Sequence, residues 1–452
     1  MNLARRGAAV MLVVLALAAC APRAILLPGF PPLRDFPADF VPPVSEETGL
    51  PMGGFGGTGG GVHHTPILFV HGNTESAGYW LAVREAFRDA GWHDDELWAF
   101  SYGWNNPRWF DSNDASVPSV GRMVDAMTQY LSKKTGREVR QVHIVAHSLG
   151  VTAVRQWMLQ ENAWHRVRAF VAVAGANHGT WTARADARGQ NRTSSFELAP
   201  GSGWLAQLNR VGETPGPTRV LALYDGTGRY DAFYPPPFED SSRLEGAANV
   251  ALNRERGLHL DHMALARAPA AVETIIGFLR DAGEALPQAA APILVQEGDR
   301  VRGNVADDRV HCTTGAVLPS RATPGVVEVQ VSGGGPTTCF ATNARTGLAS
   351  PMQRFHAPAA AVALGGASLT LSADPPAGAF EDRLRVRLAA SDPAATIVYT
   401  TSGGAPTSGS PRYLEPIVVD GPLTLRAVAI AADGRRSEEL RLRYDVSLRL
   451  VE

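Results

Sequence analysis

The sequence predicts an α/β domain with a mainly parallel sheet covered by helices on both faces, followed by two small all-β domains. Between about residues 66 and 280, short apolar runs alternate with segments whose apolar residues recur at helical spacing. Beyond Pro287 the apolar runs are short and β-branched or alternating, with Gly, Pro and Asp between them. All nine tryptophans lie between Trp80 and Trp204, so the two parts also differ in composition.

The individual elements of the first part follow from the same patterns. Strands are predicted over 67–70, 97–102, 142–146, 170–174 and 220–224, and helices over 79–90, 120–131, 151–160 and 271–280. Gly136 is placed to end the second of these helices. The glycine-rich stretch 53–61 precedes a strand and lacks the Lys-Ser/Thr ending of a phosphate-binding loop, which predicts a flexible lead-in.

Length and charge narrow the class of protein. At roughly 150 residues per domain, a chain of 452 residues predicts about three domains. Hydrophobic residues make up 45% and charged residues 19%, which is ordinary for a globular protein with a large core. Forty-two basic and 44 acidic residues give a formal net charge of -2, so we expect no nucleic-acid partner.

The N-terminus predicts export. Two arginines precede an apolar run over 8–19, which is too short for a stable membrane span. The run ends in LAAC at 17–20, which resembles the lipobox of bacterial lipoprotein signal peptides. The resemblance implies cleavage before Cys20, lipidation of its thiol and a membrane-anchored chain. Ala21, where Asp would favour the inner membrane, favours the outer membrane. The alternative is a plain secretory signal with a coincidental cysteine.

The predicted organisation has five parts. They are a signal peptide (1–20), a proline-rich linker (21–51), the α/β domain (52–286), a small β domain (287–365) and a final β-sandwich (366–452). Cys312 and Cys339 are the remaining cysteines, and in an exported protein such an isolated pair predicts a disulfide. Two buried free thiols are the alternative.

The segment most informative about chemistry is 142–150, which reads VHIVAHSLG. A buried strand runs directly into a helix, and Ser148 lies at the turn between small residues. Such a turn exposes the serine Oγ and begins a helix whose first amides stabilise a developing oxyanion. The alternative is a serine that caps an ordinary helix.

The other parts of an acyl-transfer site are also present. The first predicted strand leads into His71, Gly72 and Asn73, and we expect the amides of Asn73 and Leu149 to form the oxyanion hole. We interpret His71 as a structural histidine supporting this loop.

A base and an acid are expected after the serine, in the order serine, acid, histidine. The segment LHLDH at 258–262 precedes the last helix, so His262 is preferred over His259 as the base. Asp225 and Asp231 both follow the strand over 220–224. The residues by themselves leave both aspartates open as the acid.

Several motifs together resemble class 2 type bacterial lipases. They are PILFVHGN at 66–73, AHSLG at 146–150, GANHG at 175–179 and ELAPGS at 197–202. The serine box and GGFGG at 53–57 also resemble a group of extracellular polyhydroxyalkanoate depolymerases. The resemblance covers about residues 51–286 and implies an α/β-hydrolase fold with a triad at Ser148, Asp231 and His262. Ala146, where Gly is commoner, is shared by several groups of this superfamily.

The resemblance implies a serine hydrolase of carboxylic esters, a lipase or carboxylesterase, whose partners are an ester substrate (acylglycerol or polyester) and the membrane. A polyester depolymerase is the alternative within the enzymes, and a non-catalytic surface binding protein is the alternative outside them. Residues 180–218 are either a cap over an apolar acyl site or a solvated insertion. We expect no cofactor, and His63-His64 and Asp94-Asp95 are interpreted as surface loops rather than metal ligands.

The C-terminal segment, about 368–446, has a resemblance of its own. The stretches IVYTT at 397–401 and LRAVA at 425–429 resemble the C-terminal module of chitobiases and β-hexosaminidases, which is an immunoglobulin-like sandwich. Because the segment contains no Trp and few other aromatic platforms, we expect a spacer or docking module rather than a sugar-binding one.

Overall fold

The computed structural model describes most of the chain. Described are residues 33–45, 49–73, 75–102, 116–183, 193–282, 290–332, 335–357, 369–380, 384–401, 404–407, 410–414, 416–419 and 422–446. The chain divides into two compact units. The first consists of Met1–Ala291, Ala316–Thr323 and Thr342–Pro351, and the second of Pro292–Gly315, Pro324–Ala341 and Met352–Glu452.

An eight-stranded sheet forms the centre of the first unit. Its strands are β1 (Arg34–Asp35), β2 (Gly53–Phe55), β3 (Ile67–Val70), β4 (Leu97–Ser101), β5 (Val142–His147), β6 (Val167–Val173), β7 (Arg219–Tyr224) and β8 (Ala248–Ala251). Their order is β1-β2-β4-β3-β5-β6-β7-β8. Only the pairing of β2 with β4 is antiparallel among these described strands. The predicted mainly parallel sheet is confirmed.

The register aligns the carboxyl ends of the central strands. Val70 pairs with Phe100 and Ala146, and Ala172 pairs with Ala146 and Ala222. All residues of β3, β4 and β5 are buried, as the continuous apolar runs predict for strands covered on both faces. The loops that follow these strands therefore leave the sheet at one common edge.

The helices of the first unit follow the strands. They are α1 (Leu81–Asp89), α2 (Val117–Thr135), α3 (Leu149–Gln160), α4 (Thr193–Glu197), α5 (Gly203–Asn209), α6 (Leu252–Arg256) and α7 (Pro269–Asp281). Short 3-10 turns cover Ala77–Trp80, Ala163–Arg166 and Ala264–Ala266. Helix α2 ends as predicted, with Gly136 in a left-handed conformation (φ 65). In the described part of the chain, no helix combines the length and apolar character that a membrane span requires.

The glycine-rich stretch differs from the predicted flexible lead-in, because it begins with β2. Gly54 has a φ of 155, and a Cβ there would lie 2.1 Å from the Ala99 carbonyl oxygen of β4. Gly56 and Gly57 lie against the Trp98 ring in the same way, so only glycine allows this approach. Asp95, interpreted above as a surface residue, is buried and accepts hydrogen bonds from nearby loop amides.

Part of the predicted proline-rich linker also packs on the first unit. Strand β1 pairs with β2, and the Phe40 ring lies 5.0 Å from that of Trp98. Proline content alone indicated a spacer, but the aromatic residues between the prolines gain contacts with an apolar surface.

The second unit is all-β. Its strands are β9 (Leu294–Glu297), β10 (Arg300–Gly303), β11 (Asp308–Thr314), β12 (Glu328–Gln330), β13 (Thr337–Asn343), β14 (Gln353–Phe355), β15 (Leu371–Asp374), β16 (Gly378–Phe380), β17 (Leu384–Ala390), β18 (Thr396–Thr400), β19 (Ile417–Val419), β20 (Leu423–Ile430) and β21 (Leu440–Val446), except that the last two residues of β13 are assigned to the first unit. Two three-stranded sheets, β12-β10-β9 and β11-β13-β14, come first. A disulfide joins Cys312 on β11 to Cys339 on β13.

The last strands form a two-sheet sandwich. Sheet β15-β17-β19 and sheet β16-β21-β20-β18 enclose one core, which includes Val386, Leu425 and Tyr444. Strand β16 runs parallel to β21, while the other pairings are antiparallel. This arrangement is the predicted immunoglobulin-like sandwich.

Candidate active site

Ser148 occupies a sharp turn between β5 and α3. Its backbone has φ 54 and ψ -124, a conformation that non-glycine residues rarely adopt. The Ser148 amide donates to the Val173 carbonyl oxygen at 2.9 Å, which holds the turn against β6. A Cβ on Gly150 would lie 2.4 Å from the His71 carbonyl oxygen, so glycine is needed where α3 begins. The turn places the half-buried Ser148 at the carboxyl edge of the sheet.

The structure brings Ser148, His262 and Asp231 into one hydrogen-bonded row. The Ser148 Oγ lies 2.9 Å from His262 Nε2, and His262 Nδ1 lies 2.8 Å from Asp231 Oδ2. Both His262 and Asp231 are buried, and the Phe233 ring centroid is 4.2 Å from that of His262. Because a carboxylate only accepts hydrogen bonds, Nδ1 carries the proton and Nε2 faces the serine hydroxyl as an acceptor.

Asp225 has a different set of partners. Its Oδ1 accepts hydrogen bonds from Thr227 Oγ1 at 2.7 Å and Asn253 Nδ2 at 2.6 Å. Its Oδ2 faces the amides of Tyr230 and Asp231 at 3.4 and 3.5 Å. Burial alone would raise the pKa of Asp225, but these donors outweigh burial and lower it. Asp225 therefore holds the turn that presents Asp231.

The residues predicted to form an oxyanion hole lie on the two segments that meet at the serine. A Cβ on Gly72 would lie 2.7 Å from Ser148 Cβ, so the loop after β3 closely approaches the turn. Asn73 follows Gly72 and is exposed. Leu149 is the first residue of α3, where amides have no acceptor within the helix. Asn73 and Leu149 thus each lie one residue from a contact of this turn, Asn73 next to Gly72 and Leu149 next to Ser148.

His71 supports this loop, as the sequence predicted. Its Nδ1 lies 2.8 Å from the Gly72 carbonyl oxygen, and its Nε2 accepts from the Tyr102 amide at 3.3 Å. Burial lowers the pKa of His71 to about 4, which keeps its ring neutral. The alternative base His259 is exposed and stacks on Tyr230.

Two buried residues near the serine were not predicted from sequence. His147 precedes Ser148, and its Nδ1 lies 2.9 Å from Glu75 Oε1. Its Nε2 lies 2.9 Å from the His262 carbonyl oxygen. The polar residue directly before the serine, at the end of a buried and mostly apolar strand, is the signal that was available.

Asn177 of the GANHG motif and Asn209 form a buried hydrogen-bonded cluster with α3. The fully buried Arg155 of α3 donates to Asn177 Oδ1 at 3.1 Å and Asn209 Oδ1 at 2.7 Å. Asn209 Nδ2 in turn donates to the Asn177 carbonyl oxygen at 3.0 Å. Burial lowers the pKa of Arg155 to about 10, so it stays charged and ties α3 to the segment after β6.

The segment 180–218 combines buried anchors with exposed aromatic residues. Leu198, Leu205 and Leu208 are buried, whereas Trp181 and Phe196 are 47% and 50% exposed. The Trp181 amide donates to the Phe233 carbonyl oxygen at 3.1 Å, and the Phe233 ring in turn contacts His262. Residues 184–192 lie outside the described part of the chain.

Two further predictions concern other regions. Cys20, the predicted lipidation site, lies outside the described residues. The described residues contain no cluster of three or more His, Cys, Asp or Glu side chains arranged to hold a metal ion.

Comparisons with known proteins follow the division of the chain. Residues 64–225 match the family model of class 2 lipases, and residues 375–440 match that of the chitobiase/beta-hexosaminidase C-terminal domain. No curated protein sequence matches the chain.

The solved structures that are similar to the chain include three lipases and esterases. The mature form of a Bacillus licheniformis lipase is 16% identical, with 48% of this chain and 92% of that chain covered and a TM-score of 0.34. Lipase B of Aspergillus fumigatus is 15% identical (49% and 54% covered, TM-score 0.37). A Bacillus subtilis carboxylesterase is 14% identical (50% and 86% covered, TM-score 0.32). By these family matches, residues 64–225 are similar to class 2 lipases and residues 375–440 to the chitobiase/beta-hexosaminidase C-terminal domain.

Proposed function

We propose that the protein hydrolyses carboxylic esters, as a lipase or carboxylesterase, through Ser148, His262 and Asp231. The observation that supports this most is the hydrogen-bonded row from the Ser148 Oγ through both ring nitrogens of His262 to Asp231, with distances of 2.9 and 2.8 Å. A serine in a left-handed turn at a helix start is the typical position of an acyl-transfer nucleophile.

The mechanism follows from the positions of the protons. As the Ser148 Oγ attacks the ester carbonyl carbon, its proton passes to His262 Nε2. The His262 ring becomes positively charged, and the Asp231 carboxylate at Nδ1 stabilises that charge and maintains the ring orientation. The protonated Nε2 then donates to the leaving alkoxide, which departs as an alcohol.

The oxyanion and the second half of the reaction use the same groups. The amides of Asn73 and Leu149 donate to the negatively charged oxygen of the tetrahedral intermediate. The resulting acyl-enzyme on Ser148 is attacked by water, which His262 deprotonates. Collapse of the second tetrahedral intermediate releases the acid and restores the serine hydroxyl.

The side chains around the site favour apolar acyl groups. Phe233 contacts His262, and the exposed Trp181 is hydrogen-bonded through its backbone to Phe233. Aromatic side chains of this kind bury acyl chains and remove them from water. We therefore propose acylglycerols or simple carboxylic esters as substrates.

The first experiment is Ser148→Ala, assayed on p-nitrophenyl esters of graded chain length, tributyrin and poly(3-hydroxybutyrate) film. We expect a loss of several orders of magnitude in kcat, since the nucleophile is removed while the fold is kept. A fluorophosphonate should label the wild type but not the variant. Ser119→Ala, which changes a buried serine of α2, is the matched control.

The pattern of turnover distinguishes the alternatives. Hydrolysis of the film together with weak activity on tributyrin would identify the activity as that of a polyester depolymerase rather than a lipase. Equal activity of folded Ser148→Ala and wild type would exclude the serine mechanism. A wild type that neither turns over esters nor reacts with the fluorophosphonate would favour a binding protein.

We also propose that the protein is an envelope lipoprotein anchored through Cys20, in the outer membrane. The support is the LAAC sequence at 17–20 after an apolar run.

A further inference from the structure

A chain of buried hydrogen bonds runs beneath the candidate site. The Gly72 amide donates to Glu75 Oε2 at 2.6 Å, and Glu75 Oε1 lies 2.9 Å from His147 Nδ1. His147 Nε2 lies 2.9 Å from the carbonyl oxygen of His262. Glu75 and His147 are 2% and 0% exposed, so water does not compete for these bonds.

The acceptors in this series of hydrogen bonds define the protonation states of His147 and Glu75. The His262 carbonyl oxygen only accepts, so His147 Nε2 must carry a proton. An ionised Glu75 also only accepts, so Nδ1 carries one as well, and the pair is a carboxylate with an imidazolium. Burial alone would raise the pKa of Glu75 and lower that of His147, but their mutual attraction outweighs burial in both cases.

The pair connects three segments that are far apart in sequence. Glu75 holds the loop that carries Asn73, His147 adjoins the nucleophile on β5, and the accepting carbonyl belongs to the proposed base. Tyr79 reinforces the last connection, because its hydroxyl donates to the Met263 carbonyl oxygen at 2.8 Å. The Tyr79 ring also stacks on His147, with centroids 5.0 Å apart.

We propose that Glu75 and His147 are positioning residues that hold the His262 backbone and the oxyanion loop in register with Ser148. Neither side chain is hydrogen-bonded to the Ser148 Oγ or to the His262 ring nitrogens among the described contacts, although the His147 ring centroid lies 4.7 Å from that of His262. Both therefore position the site and do not exchange protons with the serine or with the His262 ring. The inference rests on the proposed function.

The proposal predicts a particular kinetic defect. Without the hydrogen bond from His147 to the His262 carbonyl oxygen, the loop that carries His262 gains freedom. His262 Nε2 then spends less time within reach of the Ser148 Oγ. Misplacement of a catalytic group by about 1 Å costs on the order of 10²-fold in rate. We expect this loss in kcat with little change in KM, because substrate-binding side chains are not altered.

Two variants, which place an amide group at the position of one or the other ring nitrogen of His147, test the proposal. His147→Asn places its amide near the former Nδ1, so it keeps a donor to Glu75 and loses the donor to the His262 carbonyl. The double variant Glu75→Gln with His147→Gln places an amide near the former Nε2 and removes both charges together. We expect kcat to fall about 10²-fold in the first and to recover most of that loss in the second.

His143→Asn is the matched control. His143 lies on the same strand and face as His147, is buried, and has no hydrogen-bond partner for either ring nitrogen in the described part of the chain. All kcat values are normalised to active sites titrated with a fluorophosphonate, so unfolded protein does not contribute. We expect His143→Asn to keep the wild-type kcat.

The outcomes are distinct. A normal kcat in His147→Asn would overturn the positioning role, and so would an equal loss in the double variant. If the variants lose stability without loss of kcat per titrated site, the pair serves the fold alone, and the proposal is again overturned. An inactive, unlabelled wild type would instead mean that the proposed function fails.

Discussion

Asp225 and Asp231 are both buried carboxylates of one loop, and their hydrogen-bond partners separate their roles. Asp231 Oδ2 faces His262 Nδ1, and its Oδ1 accepts from the Phe233 amide at 3.0 Å. Asp225 faces donors of its own loop and of α6, including Asn253. The two residues therefore support the base differently, one directly and one through the shape of the loop.

This difference gives a prediction at the scale of single residues. Asp231→Asn should lower kcat by roughly 10³–10⁴-fold, because the ring loses its orienting and stabilising carboxylate. Asp225→Asn removes a charge from the turn but keeps an acceptor and a similar shape, so its effect should be far smaller. Both are measured with one soluble ester, and the reverse ranking would assign the acid to Asp225.

The site depends on strand β5, because the strand ends at His147 and Ser148 follows it directly. Its apolar residues bury it between β3 and β6, and its end delivers His147 and Ser148 to the edge of the sheet. The strand also contains His143, whose ring is fully buried. Burial, with the positive charges of Arg168 and Arg219, lowers the pKa of His143 to about 3.

The buried His143 predicts how stability depends on pH. Between pH 6.5 and about 3 the unfolded chain binds a proton at this position that the folded chain does not, so stability falls as pH falls through that window. One such residue contributes up to about 1.4 kcal/mol per pH unit. His143→Leu should therefore flatten the acid dependence of the free energy of unfolding.

Urea unfolding followed by tryptophan fluorescence measures this slope, because all nine tryptophans belong to the first unit. His259→Leu, at an exposed position, is the control and should leave the slope unchanged. An unaltered slope in His143→Leu would contradict the role assigned to this residue.

At the scale of the whole molecule, the proposed chemistry and the disulfide belong to different units. Ser148, Asp231 and His262 lie in the first unit, whereas Cys312 and Cys339 lie in the second. A disulfide that closes a loop of 27 residues restricts the unfolded chain and stabilises the unit that contains it.

The proposed anchor is a property of the whole chain. Cys20→Ser should block lipidation and release the protein from membranes, or stop its processing, because the thiol is the proposed acceptor of the lipid. Fractionation after a carbonate wash, with Cys312→Ser as the control cysteine variant, measures this. Continued outer-membrane fractionation of Cys20→Ser would show that something other than a lipid holds the protein there.

The sequence predicted the elements whose signals are local and strong. The apolar runs of β3 to β7 and the helical spacing of α2 and α7 decide those elements, because residues that must be buried on both faces or along one stripe have few alternatives. It did not predict β1, β2 or β8. These strands are two to four residues long, and their pairing depends on neighbours distant in sequence.

The sequence by itself determined the fold class and the serine turn, since the strand, the small residues Ala146 and Gly150, the serine and the helix start are contained in nine consecutive residues. The choice between Asp225 and Asp231 rested on a family resemblance. Only the tertiary structure decided which carboxylate faces His262, and only it joined Glu75 to His147 across 72 positions. Hydrogen bonds between distant segments depend on the register of a parallel sheet, which local patterns do not encode.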